Sequence, residues 1–491
     1  MRRWLRPKNF APAMLAAALG IFFALTLFPI SYPGLHYDEL FFVNAALGDL
    51  NGFFVFAKLG ALPLYLMPYI GALKAWIYWP IFKVFGVSVW SVRLPVLLLA
   101  AGGIALLFRL AKILGGGWVA VLTVFLLVAN PTFVWGIKSE VGPVAIEFFL
   151  QVAGAYALFT GAGAPVLTAL FILGMFNKIS FIWWVAGVVA AGTLFFPARR
   201  RALLIAGGLS ALFIPAWNAY FHFVSPTGEF SSFSAAARWE YMNPLWQSVL
   251  EGVNFYRLVF DPYAGIHPNA KHWAAGIFLG WIYFGFVSHN KENRNAIRFL
   301  GAQILVTFTC IFFTARATAY WHFLHLIPWF ALLSALVLQR LRYAGAAIAI
   351  LLLFQLSVVS SAYVRKNGGA PMNPYWSTAT YPLIDWCRAE NRKCVSLEWG
   401  TQNQIFSFVR DPQRAWEFLA YPILDPELHY VAYSYGAVRS PMDRKADFFK
   451  MVEEAGKKTE IETRFDEKGK AIFEVYRITE KGIPAPPLKS K

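Results

Sequence analysis

Long apolar runs recur through the first three quarters of this chain, and they limit its fold more than any other feature. A helix needs roughly 20 mostly apolar residues, at 1.5 Å each, to cross the hydrocarbon core of a bilayer. Runs of this kind lie at residues 11–30, 92–113, 117–134, 143–160, 164–177, 179–196, 202–222, 272–288, 297–314, 321–338 and 343–362. The two that meet at Asn177–Lys178 are short and read either as two crossings or as a shallow hairpin. Counted as two, they bring the prediction to about 11 transmembrane helices. Only 14% of the residues are charged and mean hydropathy is +0.50, too apolar for solvation all round. A cytosolic enzyme, a disordered scaffold and a free nucleic-acid binder are thereby excluded.

The net charge of +17 would otherwise suggest a polyanion partner. Residues 1–362 carry 24 Lys and Arg against 10 Asp and Glu, whereas residues 363–491 are nearly balanced at 20 against 17. The excess therefore belongs to the membrane part, whose short cytoplasmic loops collect Lys and Arg. Arg109/Lys112, Arg199–Arg201, Lys291/Arg294/Arg298 and Arg340/Arg342 all fall on the side of the basic N-terminus (Arg2, Arg3, Arg6, Lys8). This alternation predicts a cytoplasmic N-terminus and an uncleaved first span. It predicts outer loops at 31–90, 135–142, 223–271 and 315–320, with the whole tail outside.

Residues 31–90 contain Pro63, Pro68 and Pro80 with Lys58, Lys74 and Lys83, a pattern of interfacial or re-entrant helix rather than a clean crossing. The tail reads as a soluble α/β domain over 363–491, next to a transmembrane domain over 1–362. Asp443–Ala455 has helical periodicity, and Thr459–Phe465 and Ala471–Thr479 alternate as strands around an Asp466-Glu467-Lys468-Gly469 turn. Cys394–Trp399 and His429–Ser434 are two further short strands. Three cysteines make neither a disulfide framework nor a four-ligand zinc site. Cys310 fits a packed apolar position, and Cys387 and Cys394 could pair in an oxidising compartment. The tail shows no catalytic constellation and reads as a supporting or acceptor-docking module.

Ionisable groups at a membrane are costly, so their placement is informative. Of the ten acids in the membrane part, eight fall in predicted outer loops, Glu147 lies within a span and Glu292 is cytoplasmic. The densest feature is His36-Tyr37-Asp38-Glu39, just after the first span. Two readings fit it: an N-cap with a first-turn acid, or an acid pair able to deprotonate an acceptor or hold a divalent cation. Lys138-Ser139-Glu140-Val141-Gly142-Pro143 offers a second acid on the same face, and Glu147 a deeper one suited to bonding a neighbouring helix. Candidate phosphate ligands on that face are Lys58, Arg93, Lys138, Lys178 and Arg316, each also readable as a headgroup anchor. His322 and His325, with Tyr320, complete a short loop after Arg316, and two histidines without an adjacent acid are a thin metal signal.

The order of these elements resembles the C-type (GT-C) superfamily of membrane glycosyltransferases. The likeness is to the protein mannosyltransferases, the lipid A aminoarabinose transferase and the rhizobial galacturonosyltransferases. It rests on one span followed by Asp38-Glu39, then Leu62-Pro63-Leu64, Gly86–Pro95, the Gly115–Gly117 turn, Ala129–Leu150 and His322–Ala335. The resemblance implies a GT-C-like helix bundle with interfacial helices in the first outer loop and a small C-terminal α/β outer domain. It implies catalytic acids at Asp38, with Glu39 beside it, and at Glu140. Glu140 stands where relatives commonly carry Asp, and Lys58 only approximates the lysine that aminoarabinose transferases place before Pro-Pro-Leu.

Donor phosphate would be bound by Lys58, Arg93, Lys178 and Arg316, and the substrate pocket lined by His36, Tyr320, His322 and His325. The implied activity is inverting transfer of a hexose or pentose from a polyprenyl-phosphate-linked sugar to a hydroxyl or amine. The acceptor would be a glycan, lipid or protein of the cell envelope, at a bacterial-type plasma (inner) membrane, with membrane lipids as further partners and no nucleic acid. A divalent cation serves some relatives and not others, so a metal on Asp38 and Glu140 stays open. A transporter or flippase is the alternative, but carriers line a midplane cavity with polar groups, unlike these outer-loop acids.

Overall fold

The computed structural model describes residues 10–48, 57–60, 62–67, 69–217, 234–253, 270–289, 293–314, 319–366, 374–411, 413–434 and 444–479. In chain order, α1 (Phe10–Leu27) and α2 (Tyr37–Ala46) precede β1 (Ala57–Leu59), β2 (Leu62–Met67) and β3 (Ile70–Gly71). Helices α3 (Leu73–Phe85), α4 (Val89–Ala129), α5 (Pro131–Ser139), α6 (Val144–Thr160), α7 (Ala164–Asn177), α8 (Phe181–Phe195) and α9 (Arg200–Ala211) follow. Next come α10 (Ala235–Glu251), α11 (Ala270–Ile282), α12 (Arg294–Phe313), α13 (Tyr320–Phe323), α14 (Ile327–Arg340) and α15 (Arg342–Lys366). The tail contains α16 (Thr380–Arg388), β4 (Cys394–Ser396), α17 (Thr401–Val409), β5 (Ala415–Glu417), β6 (His429–Tyr433), α18 (Lys445–Glu454), β7 (Lys458–Glu467) and β8 (Lys470–Thr479).

Among the described residues, α1, α4, α12 and α15 are long and apolar enough to cross a membrane. The pair α5–α6, bent by 118°, is either a broken span, which would make a fifth, or a re-entrant loop. Helices α7, α8 and α14 have 14 or 15 residues, or ~21–23 Å by rise, shorter than the ~30 Å hydrocarbon core. Length and composition alone therefore count four or five crossings where the apolar runs predict about 11. Part of the difference lies in α4, which runs through two predicted spans. Its backbone leaves the helical region at Gly116 (φ +84°), a left-handed conformation natural to glycine. The Gln339 amide donates to the Gly115 carbonyl at 3.1 Å and so ties this break to the end of α14.

The first long loop holds the predicted short helices, α2 and α3, and also a small antiparallel sheet, β1–β2–β3, where helix was expected. Along Leu62–Met67 only Pro63 and Leu66 are buried, Leu62 is exposed and the other three are half-buried, so no two-residue period marks the strand. Pro63 lies near its start, where a missing N–H is tolerated.

The tail forms a five-stranded sheet in the order β5-β4-β6-β8-β7. Strand β4 is parallel to both β5 and β6, and β6, β8 and β7 run antiparallel in turn. Strands β7 and β8 pair through the predicted turn, and a disulfide joins Cys387 to Cys394. Helix α17, absent from the sequence reading, lies directly on α2. Gln404 donates to the Leu35 carbonyl at 2.7 Å, Ser407 to the Asn44 side chain at 2.8 Å, and Arg410 to the Leu47 carbonyl at 3.0 Å. From the neighbouring segment, Tyr381 donates to Ser31 (2.9 Å) and Gly34 N–H to Trp376 (2.6 Å). The tail thus clamps the loop that carries Asp38 and Glu39.

Candidate active site

The two adjacent acids of α2 have different surroundings. His36 is the N-cap: its Nδ1 accepts the Asp38 N–H at 3.2 Å, and its own N–H donates to Glu39 Oε1 at 2.9 Å. Glu39 also receives Arg93 Nε–H on Oε2 (3.0 Å) and an Arg93 NH2 hydrogen on Oε1 (2.8 Å). The remaining Arg93 donors reach the carbonyls of Ile30 (2.6 Å), Pro33 (2.7 Å) and Gly34 (3.1 Å). All five guanidinium N–H groups are therefore engaged, and Arg93 is 0% exposed. This corrects two expectations. Arg93 has no donor left for a phosphate, because it fastens the loop to α2. Glu39 is a buried cap and ion-pair partner rather than a reacting acid.

Asp38 is the acid left over. No described residue donates a hydrogen bond to its carboxylate, and 30% of its side chain is exposed. Its only near neighbour of that kind is His36 Nδ1, at 3.9 Å. Burial, and secondarily the Arg93 charge, hold His36 at about 3, so it is neutral there. His36 stacks on Trp376 with ring centroids 4.5 Å apart, which makes it a cap and packing residue rather than a pocket wall. Burial pushes Asp38 up to about 7, against the opposing charges of Lys178 and Lys74.

Glu140 comes into the same charged cluster from the turn between α5 and α6. It caps α5 with φ +32° and ψ +57°, a left-handed conformation that costs a non-glycine residue about 1 kcal/mol or more and recurs at functional sites. Oε1 accepts the Ala145 N–H at 3.1 Å, near the start of α6. Oε2 lies 2.6 Å from Lys74 Nζ. Both side chains are 1% exposed. The Lys74 ammonium also lies 4.3 Å from the Phe42 ring centroid, and its charge reaches Asp38. Burial raises Glu140 to about 7, with Lys74 opposing.

Lys74 escaped the sequence reading as a site residue, although a lone lysine in the aromatic run Leu73–Trp79 was its signal.

Lys178 faces Asp38 and Glu147 between α7 and α8. The chain here pairs with β3, through an Ile70–Lys178 bridge and the Ile179 N–H to Tyr69 carbonyl bond at 3.0 Å. Gly142 (φ +84°) leaves room beside it, since a Cβ there would stand 3.6 Å from Lys178 Nζ. Lys178 is 3% exposed, and its ammonium has no hydrogen-bond or ion-pair partner among the described residues.

Glu147 accepts from Ser180 at 3.3 Å and lies 3.5 Å from His325 Nε2. His325 Nδ1 accepts from Gln151 at 2.6 Å, and Gln151 accepts from Trp329 at 3.1 Å. Glu147 thus bonds neighbouring helices, as expected, and its charge also reaches Lys178. Burial, and secondarily the charges of Asp38 and Glu39, push the Tyr320 phenol well above its ordinary value. His322 Nδ1 accepts the Ala319 N–H at 3.2 Å beside Trp183.

Lys138 is buried and donates to the Pro29 carbonyl at 2.8 Å. Lys58 is exposed on β1, outside the buried cluster. Arg316 lies outside the described residues.

The donor set of Asp38 and Glu140 does not fit a divalent cation. Calcium takes six to eight oxygens and magnesium a near-octahedral shell. Glu140 gives one oxygen to an ammonium and the other to a backbone N–H. No three His, Cys, Asp or Glu side chains converge among the described residues.

No family model matches the sequence, and no curated protein is significantly similar to it. Solved structures are similar in shape. ArnT from Cupriavidus metallidurans, bound to undecaprenyl phosphate, superposes with a TM-score of 0.57 at 13% identity, over 96% of this chain and 98% of ArnT. The Archaeoglobus fulgidus oligosaccharyltransferase, in complex with Zn and sulfate, gives a TM-score of 0.49 at 13% identity over 82% of this chain and 62% of its own. The likeness to ArnT concerns the fold alone: this chain folds as ArnT does over nearly the whole length of both.

Proposed function

We propose that the protein is an inverting glycosyltransferase that moves a hexose or pentose from a polyprenyl-phosphate donor to a hydroxyl or amine of a cell-envelope acceptor. The observation that carries this reading is the asymmetry around Asp38. Among the described residues nothing donates to its carboxylate and the ammonium of the buried Lys178 facing it has no partner, while Lys74 and Glu140 stand paired beside them. A buried unpaired ammonium is costly, and an anionic ligand relieves that cost. The fold likeness to ArnT, whose structure holds undecaprenyl phosphate, supports a lipid phosphate as that anion.

In this mechanism the acceptor O–H or N–H is oriented toward Asp38. As the acceptor atom attacks the anomeric carbon, its proton passes to the Asp38 carboxylate. The bond from that carbon to the phosphate oxygen breaks on the opposite face. The electron pair leaves with the lipid phosphate, whose charge Lys178 takes up. A carboxyl near 7 suits a general base at neutral pH, and fixed cations on a leaving anion in a dry site are a large catalytic contribution.

The same reading assigns residues 1–362 to a transmembrane domain of about 11 crossings and residues 363–491 to an extracytoplasmic domain. The disulfide between Cys387 and Cys394 supports an oxidising compartment for the tail. The N-terminus would then be cytoplasmic, in a bacterial-type inner membrane.

Asp38→Asn tests the assignment. It should lower transfer by about 10²–10⁴ while leaving membrane insertion intact. The measurement is mass spectrometry of envelope glycans from cells carrying wild type, variant or neither. Full sugar incorporation by the variant would overturn the reading.

A further inference from the structure

Lys74 is ion-paired with Glu140 and its charge reaches Asp38, the two acids that a shared metal ion would have to join. Its Nζ is 2.6 Å from Glu140 Oε2 and is closed in by the Phe42 ring at 4.3 Å and the Tyr78 ring at 5.4 Å. The side chain is 1% exposed. It comes from the first turn of α3, held by the Trp76 indole bond to the Pro63 carbonyl at 2.7 Å. We infer that Lys74 is a built-in counter-cation replacing a divalent metal ion, so that Asp38 and Glu140 work together without one. The inference rests on the transferase reading of the pocket and adds to it how the acids are neutralised.

The charges around the pocket support this. Glu39 and Arg93 neutralise each other in a closed set of bonds. Asp38, Glu140 and Glu147 then face the ammonium groups of Lys74 and Lys178. Three carboxyls thus outnumber two ammonium groups by one, Lys74 is taken up by Glu140, and a further anionic oxygen would be attracted chiefly by Lys178. A divalent ion between Asp38 and Glu140 would have to expel Lys74 from an aromatic enclosure or sit beside it against like-charge repulsion. A lysine cation is also permanently tethered, so it holds Glu140 in its left-handed turn whether or not donor is bound. Lys74 acts on the reaction through Glu140 and Asp38 and is in that sense a positioning residue.

The test uses the purified full-length protein in detergent, with Mn²⁺ as the probe. Electron paramagnetic resonance at millimolar Mn²⁺ should detect no saturable ion on the wild type, and a chelator should leave sugar transfer unchanged. Lys74→Met should lower transfer about 100-fold, whereas Lys74→Arg, which keeps the charge, should retain most of it. One bound Mn²⁺ per wild-type chain, lost in Glu140→Gln, would overturn the inference. So would a chelator that abolishes transfer together with Mn²⁺ that restores it. The Mn²⁺ measurement needs no activity. If no lipid-linked donor supports transfer while Mn²⁺ still fails to bind, the transferase reading falls and the counter-cation assignment stands.

Discussion

Arg93 and Lys178 are both buried cations beside the helix that carries Asp38, yet only one of them is complete. Arg93 satisfies every N–H it has, two on Glu39 and three on backbone carbonyls. Lys178 faces two carboxylates at longer range and bonds to neither. A charge whose hydrogen bonds are all made inside the protein holds structure together. One left unmade in a dry pocket keeps its binding capacity for something that arrives from outside. The same division separates Glu39 from Asp38, one residue apart on α2.

This contrast is broken most readily at Arg93. Arg93→Met leaves Glu39 buried without its counter-charge and frees three carbonyls, and should cost about 3–5 kcal/mol of stability. Thermal melting of the detergent-solubilised protein reads this. A melting temperature within error of wild type would mean that Arg93 is not the fastening inferred here.

Lys178→Met should act in the opposite sense. It removes a buried lysine whose ammonium has no partner among the described residues, so melting temperature should hold or rise. On the proposed mechanism, in which Lys178 meets the leaving phosphate, transfer should nonetheless fall about 100-fold. A stability–activity trade of this kind marks a site kept for function. If Lys178→Met and Arg93→Met destabilise alike, both cations are structural and the contrast fails.

Much of this arrangement could be read from the sequence, and the remainder could not for a definite reason. Local period revealed the membrane helices, the β7–β8 hairpin and the α18 helix, because side-chain alternation and turn residues act within a few positions. The Asp38-Glu39 dipeptide showed that acids sit at a helix start but not which of them reacts. That depends on Arg93, 54 residues further on from Glu39. Lys74 read as one of several interfacial lysines until its partner Glu140, in a different loop, placed it in the pocket. Helix α17 escaped notice because Thr401–Val409 is short and mixed in character, and what it packs on, α2, lies more than 350 residues earlier. Pairings over such distances leave no periodic trace.

A pH signature of Asp38 sharpens the contrast between Asp38 and Glu39 directly. Burial raises the Asp38 carboxyl from 3.8 to about 7 in the folded chain, so folding favours its protonated form. Its contribution to stability is then fully present below the unfolded value of 3.8 and is lost as pH rises through about 7. Asparagine cannot ionise, so Asp38→Asn should melt above wild type under mildly alkaline conditions, and the difference should close as pH falls toward 4. Wild-type transfer should run the other way, rising through about 7 as the base loses its proton. Melting curves of both proteins across that range decide the point. A difference that does not change with pH would mean that Asp38 titrates like an ordinary surface carboxylate, and that the pocket around it is wetter than its two lysines imply.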